Sequence, residues 1–107
     1  MVIYVYRPKP GKEEELRTLL GEHHPVLRSL ELATDFVYHA RAADGSWLEI
    51  FEWVSEGHSC SAHKIPEVMD IWGRMREACD FESLASLEEA KAPFRVSLLK
   101  VSEKFFA

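Results

Sequence analysis

One segment of the chain, EIFEWVSEGHSCSAHKIPEVMDIW, brings carboxylate, imidazole and indole side chains close together over residues 49–72. Imidazole titrates near neutral pH and can remove a proton from a bound molecule as a general base. A buried carboxylate must be paired with a donor or a cation, and indole rings form apolar walls that suit flat, conjugated ligands. These residue types predict proton transfer in a pocket for a flat organic molecule.

The two candidates for catalysis in this segment are His63 and Glu52. His63 lies just before Pro66, where a new helix is expected; there it acts as a general base or, alternatively, caps the end of the preceding helix. Glu52 and Glu49 have opposite parity on one strand, so only one of them faces the helices. We favour Glu52, with a structural ion pair as the alternative, but a one-residue error in the alternation would reverse the choice.

Further side chains are expected to line the same pocket. They are aromatic or imidazole groups on the strands and on the apolar stripes of the two helices, and each has core packing as its alternative role. The predicted pocket residues are Trp72, Trp53, His23, Tyr38 and Tyr6.

His58, Cys60 and His63 raise the question of a metal site. Their spacing does not bring all three side chains to one helix face, and no fourth ligand is evident. The sequence also contains no glycine-rich phosphate loop and no nucleophile elbow. We therefore predict neither a metal nor an organic cofactor.

The first third of the chain predicts a strand followed by a helix. VIYVY (residues 2–6) is rich in β-branched and aromatic residues, which is typical of strands. KEEEL places acidic residues in a first helical turn, and leucines then recur at helical spacing over residues 12–31. Pro25 lies within this pattern and is expected to kink the helix or to divide it in two.

The remainder of the chain predicts a hairpin, a second helical region and a last strand. TDFVYHARA (34–42) and SWLEIFEWV (46–54) flank an Asp-Gly pair, which is a strong signal for a tight hairpin turn. A helical region follows, in which Pro66 suits the first turn of a fresh helix and the apolar stripe extends to Cys79. PFRVSLLKV (93–101) is the predicted last strand.

This order predicts an α+β protein with a single domain over residues 1–107. It is typical of a ferredoxin-like βαββαβ sandwich, a four-stranded antiparallel sheet with helices on one face. The strand WLEIFEWV is largely apolar on both faces, whereas a half-solvated sheet should alternate apolar with polar residues. Two helices cover one face only, and no further element is left in the chain to cover the other, so we expect a symmetric homodimer through sheet-to-sheet packing.

The segments VYRPKPGKEEELRTLL, EIFEW and AHKIPEVMDIW resemble the antibiotic biosynthesis monooxygenase-like domains of the dimeric α/β-barrel superfamily over residues 2–103. Glu52-Trp53 on a strand, with His63 about one short helix later, looks like the commonest mark of that group. The resemblance implies a ferredoxin-like subunit, a homodimer and oxygenase activity without metal or flavin. Haem-degrading members of the superfamily use an asparagine on the first strand, and this chain contains no asparagine.

Charge and hydropathy exclude several kinds of partner. The 107 residues carry a net charge of -5 at pH 7, without a basic run, which argues against nucleic-acid binding. No segment approaches the roughly 20 apolar residues that span a bilayer, and the N-terminus lacks the pattern of a signal peptide. Two cysteines outside any CxxC pair predict reduced thiols in a cytoplasmic protein.

Three functions remain open at this point. The first is a cofactor-independent monooxygenase-like enzyme acting on a small aromatic or polyketide-like molecule, in which His63 or Glu52 removes a proton to form an anion that reacts with oxygen. The alternative is a non-catalytic homodimer that binds a small hydrophobic or aromatic molecule. A cavity lacking both residues would favour that binding protein, and a fully packed interior would favour a third function, a purely structural dimer.

Overall fold

The computed structural model describes residues 1–101, which form one antiparallel five-stranded sheet and three α-helices. The strands are β1 (Val2–Pro8), β2 (Ala33–Arg41), β3 (Trp47–Trp53), β4 (Cys79–Glu82) and β5 (Ser97–Leu98). The helices are α1 (Glu13–Ser29), α2 (Glu56–Ala62) and α3 (Pro66–Ala78). The strand order across the sheet is β4-β1-β3-β2-β5. The prediction of an α+β protein with an antiparallel sheet is confirmed.

Helix α1 is continuous across Pro25. An internal proline removes one backbone donor and costs about 3 kcal/mol. Leu20 and Leu27, on either side of the proline, are both fully buried, and each buried leucine contributes about 1.5–3 kcal/mol. Burial on both sides therefore offsets the lost hydrogen bond, and of the two predicted alternatives the single helix is the one found.

The hairpin between β2 and β3 has a longer turn than the sequence predicts. A two-residue Asp-Gly turn needs positive φ at both central positions, but only Gly45 has one, at 92°. The backbone bonds Gly45 N to Ala42 O and Ala42 N to Ser46 O close a three-residue loop instead. This loop sets the register that places His39 directly opposite Glu49.

Both edges of the sheet differ from the four-stranded prediction. Cys79, expected on the helical stripe, is extended (φ −155°, ψ 165°) and begins β4, which pairs with β1. Because this edge of β1 is occupied, the predicted last strand at 93–101 cannot pair there. Only Ser97–Leu98 forms a strand, next to β2 at the opposite edge.

The second face of the sheet is partly covered by the chain itself, which corrects the expectation that no element remained for it. Between β4 and β5 lie two short 3₁₀ turns, Leu84–Ser86 and Glu88–Lys91. Leu87 from this segment packs against Leu48 and Val5. Within residues 1–101, no other segment covers the rest of this face, and Ile3 is 42% exposed there.

None of the helices in residues 1–101 combines the length and the apolar character that a transmembrane span requires.

Candidate functional site

The centre of the site is a buried carboxylate, Glu49, in the middle of β3. Its Oε1 accepts hydrogen bonds from the Tyr6 hydroxyl at 2.9 Å and from His23 Nδ1 at 2.7 Å. Its Oε2 accepts one from His39 Nε2 at 2.9 Å. Since His23 belongs to α1, Glu49 is the glutamate that faces the helices, and the choice of Glu52 from the sequence is wrong on this point.

Hydrogen-bond chemistry determines which tautomer His23 adopts. The indole Nε1–H of Trp72 can only donate, and it lies 2.8 Å from His23 Nε2. Nε2 is therefore an acceptor, and Nδ1 carries the hydrogen that is donated to Glu49. The ring is neutral in this arrangement, with its orientation set by a carboxylate on one side. A general base oriented by a third group is a recurring arrangement in catalytic sites.

The charges within this network follow from burial and hydrogen bonding. Burial alone would raise the pKa of Glu49, but the hydrogen bonds that His23 and His39 donate to its carboxylate outweigh burial and hold that pKa well below its usual range. Burial and the neighbouring Glu49 charge raise the pKa of Tyr6 well above its ordinary value. Glu49 is therefore an anion and Tyr6 a neutral donor across the ordinary pH range.

A cavity of about 250 Å³ opens beside the network, between the helix-facing side of β1 and helix α3. Most of its wall is apolar or aromatic, with the polar groups Tyr6 and His23 shared with the Glu49 network. The lining residues are Tyr4, Tyr6, His23, His63, Trp72, Met75, Arg76 and Phe81. This combination of flat apolar walls with a few polar groups is typical of small-molecule sites.

Four residues predicted from the sequence line this cavity, namely His63, Trp72, His23 and Tyr6. His63 is exposed, ends helix α2 as its cap residue and places its ring edge-on to Trp72, with 5.0 Å between the ring centroids. It therefore supports the wall of the cavity and also has the capping position that was its structural alternative.

Three other predicted residues lie elsewhere. Glu52 is exposed on the opposite face of the sheet and accepts a hydrogen bond from Thr34 Oγ1 at 3.2 Å. Tyr38, opposite Ile50 on that same face, is 42% exposed. Trp53 faces the helices but packs in a neighbouring core cluster beside Phe51, at 5.1 Å between ring centroids. Glu52 and Tyr38 are kept from the cavity because strand alternation places them on the other face of the sheet. Trp53 is kept from it because it is enclosed by core packing.

Three residues of the site are weakly indicated by the sequence or not indicated at all. His39 looks like a sheet residue until the hairpin register pairs it with Glu49. Arg76 lies one helical turn after Trp72, so its spacing on α3 is a usable signal for the same face. Phe81 belongs to β4, a strand that the sequence does not predict, and no sequence signal points to it.

The described part of the chain, residues 1–101, contains no group of three or more His, Cys, Asp or Glu side chains placed to hold a metal ion. His58 instead contacts the Ser55 hydroxyl through Nδ1 at 2.6 Å, and the Ser55 side chain caps helix α2. The spacing of His58, Cys60 and His63 therefore reflects a short helix and its cap.

The two cysteines should differ sharply in reactivity. Both are free; Cys60 is exposed and Cys79 is buried. Burial raises the pKa of the Cys79 thiol to about 12, and the thiolate is the reactive form. A thiol reagent at neutral pH should therefore modify one cysteine in the native protein and two in denaturant, as counted by intact mass. Rapid modification of Cys79 in the native protein would contradict its burial.

No protein-family model, no curated protein and no solved structure matches this chain. The resemblance to antibiotic biosynthesis monooxygenase-like domains therefore stays an expectation. The function must be inferred from the geometry of the Glu49 network and its cavity.

Proposed function

We propose that this protein is a homodimeric, cofactor-independent oxygenase, similar to the antibiotic biosynthesis monooxygenases, that acts on a flat hydroxyaromatic molecule. One observation carries the proposal. His23 lines an aromatic cavity, and on the opposite side of its ring Nδ1 donates a hydrogen bond of 2.7 Å to the buried, ionised Glu49. An apolar site with an oriented imidazole is suited to proton removal from a weak acid. The base is therefore His23, with Glu49 as its orienting residue, in place of His63 and Glu52.

The reaction needs only the substrate, dioxygen and this base. The substrate displaces the Trp72 N–H from His23 Nε2 and transfers a proton to that nitrogen, and Glu49 stabilises the resulting imidazolium. The deprotonated ring is electron-rich and reduces dioxygen. One oxygen atom enters the substrate at an activated ring carbon, which becomes a carbonyl; the substrate loses two hydrogens, one from that carbon and one from its hydroxyl, and becomes a quinone. The second oxygen atom leaves as water with those two hydrogens, so atoms and electrons balance.

The open face of the sheet supports the homodimer. Ile3, Ile50 and Tyr38 are direct cross-strand neighbours and form an apolar row, in which Ile3 and Tyr38 are each 42% exposed. Leu98, at the edge of this face, is 61% exposed. The order β4-β1-β3-β2, with α1 and α3 packed on one side, supports a ferredoxin-like subunit, and pairing two such open faces would make the dimeric α/β barrel.

Ile3→Glu should weaken the dimer at least about tenfold, because the symmetric interface would bury two unpaired carboxylates. Sedimentation velocity across a dilution series measures the shift. Met69→Glu is the matched control, since Met69 is a similarly exposed apolar residue, at 39%, but lies on helix α3. A monomeric wild type, or equal effects of the two variants, would contradict the sheet-to-sheet interface.

A second candidate function is a non-catalytic protein that binds a small aromatic ligand. The observation in its favour is the bond between Trp72 Nε1 and His23 Nε2 at 2.8 Å, because a lone pair that is already occupied is a weaker base. In this function the indole stays in place as a wall of the cavity, and the ligand is held without a proton transfer.

Oxygen consumption separates the two candidates. We would screen phenols, naphthols and anthrones with the purified protein and an oxygen electrode, after confirming by metal analysis and absorbance that no cofactor is bound. The oxygenase should consume one dioxygen per substrate oxidised, with isotopic oxygen entering the product. Ligand binding with oxygen consumption no faster than in buffer would reject the oxygenase and favour the binding protein.

A further inference from the structure

We infer that the substrate of this site is an aromatic acid of one or two rings, whose carboxylate binds Arg76 while its hydroxyl reaches His23. The placement of the hydroxyl at His23 depends on the proposed function. The placement of the carboxylate is argued from the residues at the rim of the cavity. Arg76 lies in the last turn of α3 and lines the cavity with an exposed side chain. A guanidinium presents parallel donors that match a carboxylate in a bidentate pair.

The charge of Arg76 is not neutralised by an ion pair within residues 1–101, and its neighbour on the helix shows the contrast. Arg74 Nη2 lies 3.0 Å from Asp70 and its Nη1 lies 3.7 Å from Glu22. The Lys9 ammonium adds a second positive charge at this end of α3, where it donates to the Arg76 carbonyl at 3.1 Å. Lys9 does not line the cavity, so Arg76 is the positive charge at its rim that suits an anion, in a chain whose net charge is otherwise negative, at -5.

The spacing of the two anchors limits the size of the ligand. Trp72 and Arg76 are four residues apart on α3, so they lie on one face about 6 Å apart along the helix axis. The Trp72 indole in turn contacts His23 Nε2. A hydroxyl at His23 and an acid at Arg76 are therefore separated by about the width of one aromatic ring with its two substituents.

The volume and walls of the cavity agree with this limit. About 250 Å³ is below the roughly 300–1,000 Å³ of sites for drug-sized ligands, so an extended polycyclic molecule does not fit. Trp72 and Phe81 provide aromatic walls near the rim, and Phe81 is 51% exposed. The sequence predicts either a small aromatic or a polyketide-like substrate. The cavity accommodates the small aromatic class.

A pair of ligands of similar shape, one with a carboxylate and one with a neutral amide, tests this inference without requiring turnover. Binding of para-hydroxybenzoate and para-hydroxybenzamide would be measured by NMR titration under nitrogen, for the wild type, Arg76→Gln and the matched control Arg74→Gln. The wild type should bind the acid about two- to fivefold more tightly than the amide, as expected for one solvent-exposed charge pair. Arg76→Gln should remove this preference and Arg74→Gln should retain it.

Several results would overturn the inference. One is equal affinity of the wild type for the acid and the amide, and another is an equal loss of the preference for the acid in Arg76→Gln and Arg74→Gln. The others are absence of binding by both ligands, and tighter binding of a three-ring acid than of the one-ring acid. Acid-selective binding with no oxygen consumption would support the inference and reject the oxygenase. Oxygen consumption with neutral phenols, without a preference for acids, would support the oxygenase and reject an aromatic acid as its substrate.

Discussion

Glu49→Gln is expected to lower the free energy of unfolding by about 3 kcal/mol, the upper end of the range for leaving a buried hydrogen-bond donor without an acceptor. Three donors converge on this carboxylate, from Tyr6, His23 and His39. An amide provides only one acceptor oxygen in place of two, so its NH₂ group would face one of these donors inside the core. Urea denaturation measures the change.

The same substitution should flatten the acid limb of the stability profile. The pKa of Glu49 in the folded protein lies well below its usual range, whereas the unfolded value is about 4.3. Between the two values the unfolded chain binds the extra proton, so the contribution of Glu49 is complete above pH ~4.3 and is lost as the pH falls below it. The wild type should lose stability there more steeply than the variant.

Glu52→Gln is the matched control for both measurements. Glu52 lies on the same strand but is exposed on the opposite face, and surface substitutions usually change stability by less than about 0.5 kcal/mol. If Glu52→Gln destabilised the protein as much as Glu49→Gln, the assignment of the inward-facing glutamate would be wrong.

The second large effect should appear in catalysis. His23→Gln should lower kcat for oxygen consumption by roughly 10²–10⁴-fold, the usual contribution of a general base, because glutamine cannot accept the substrate proton. Glutamine retains a donor for Glu49, so much of the buried network can persist. Initial rates with the best substrate from the oxygen screen, together with a melting curve for each variant, separate a chemical effect from unfolding.

His63→Gln is the comparison that tests the site as the sequence alone described it. His63 is exposed at the rim, and its ring packs edge-on against Trp72, so its loss should raise KM more than it lowers kcat. Loss of turnover in His63→Gln, with turnover retained in His23→Gln, would restore His63 as the base and remove the Glu49–His23 pair from the mechanism.

Local sequence patterns are sufficient to predict the main helices and strands. Leucines at helical spacing define the buried side of α1, Pro66 marks the start of α3, and the β-branched and aromatic run of β1 forms its strand. Each of these signals acts within a few residues, where backbone periodicity and side-chain type are enough. Four cavity residues, including His63 and Trp72, are identifiable at this level.

Tertiary structure alone decided the chemistry at the centre of the site. WLEIFEWV is apolar on both faces, so its pattern could not choose between Glu49 and Glu52; the choice depends on which face α1 and α3 cover. The partner across the hairpin depends on the turn: a two-residue Asp-Gly turn would put Ala40 opposite Glu49, and the three-residue loop puts His39 there. A one-residue change in register reverses every side chain, which is why packing was required to assemble the Glu49 network.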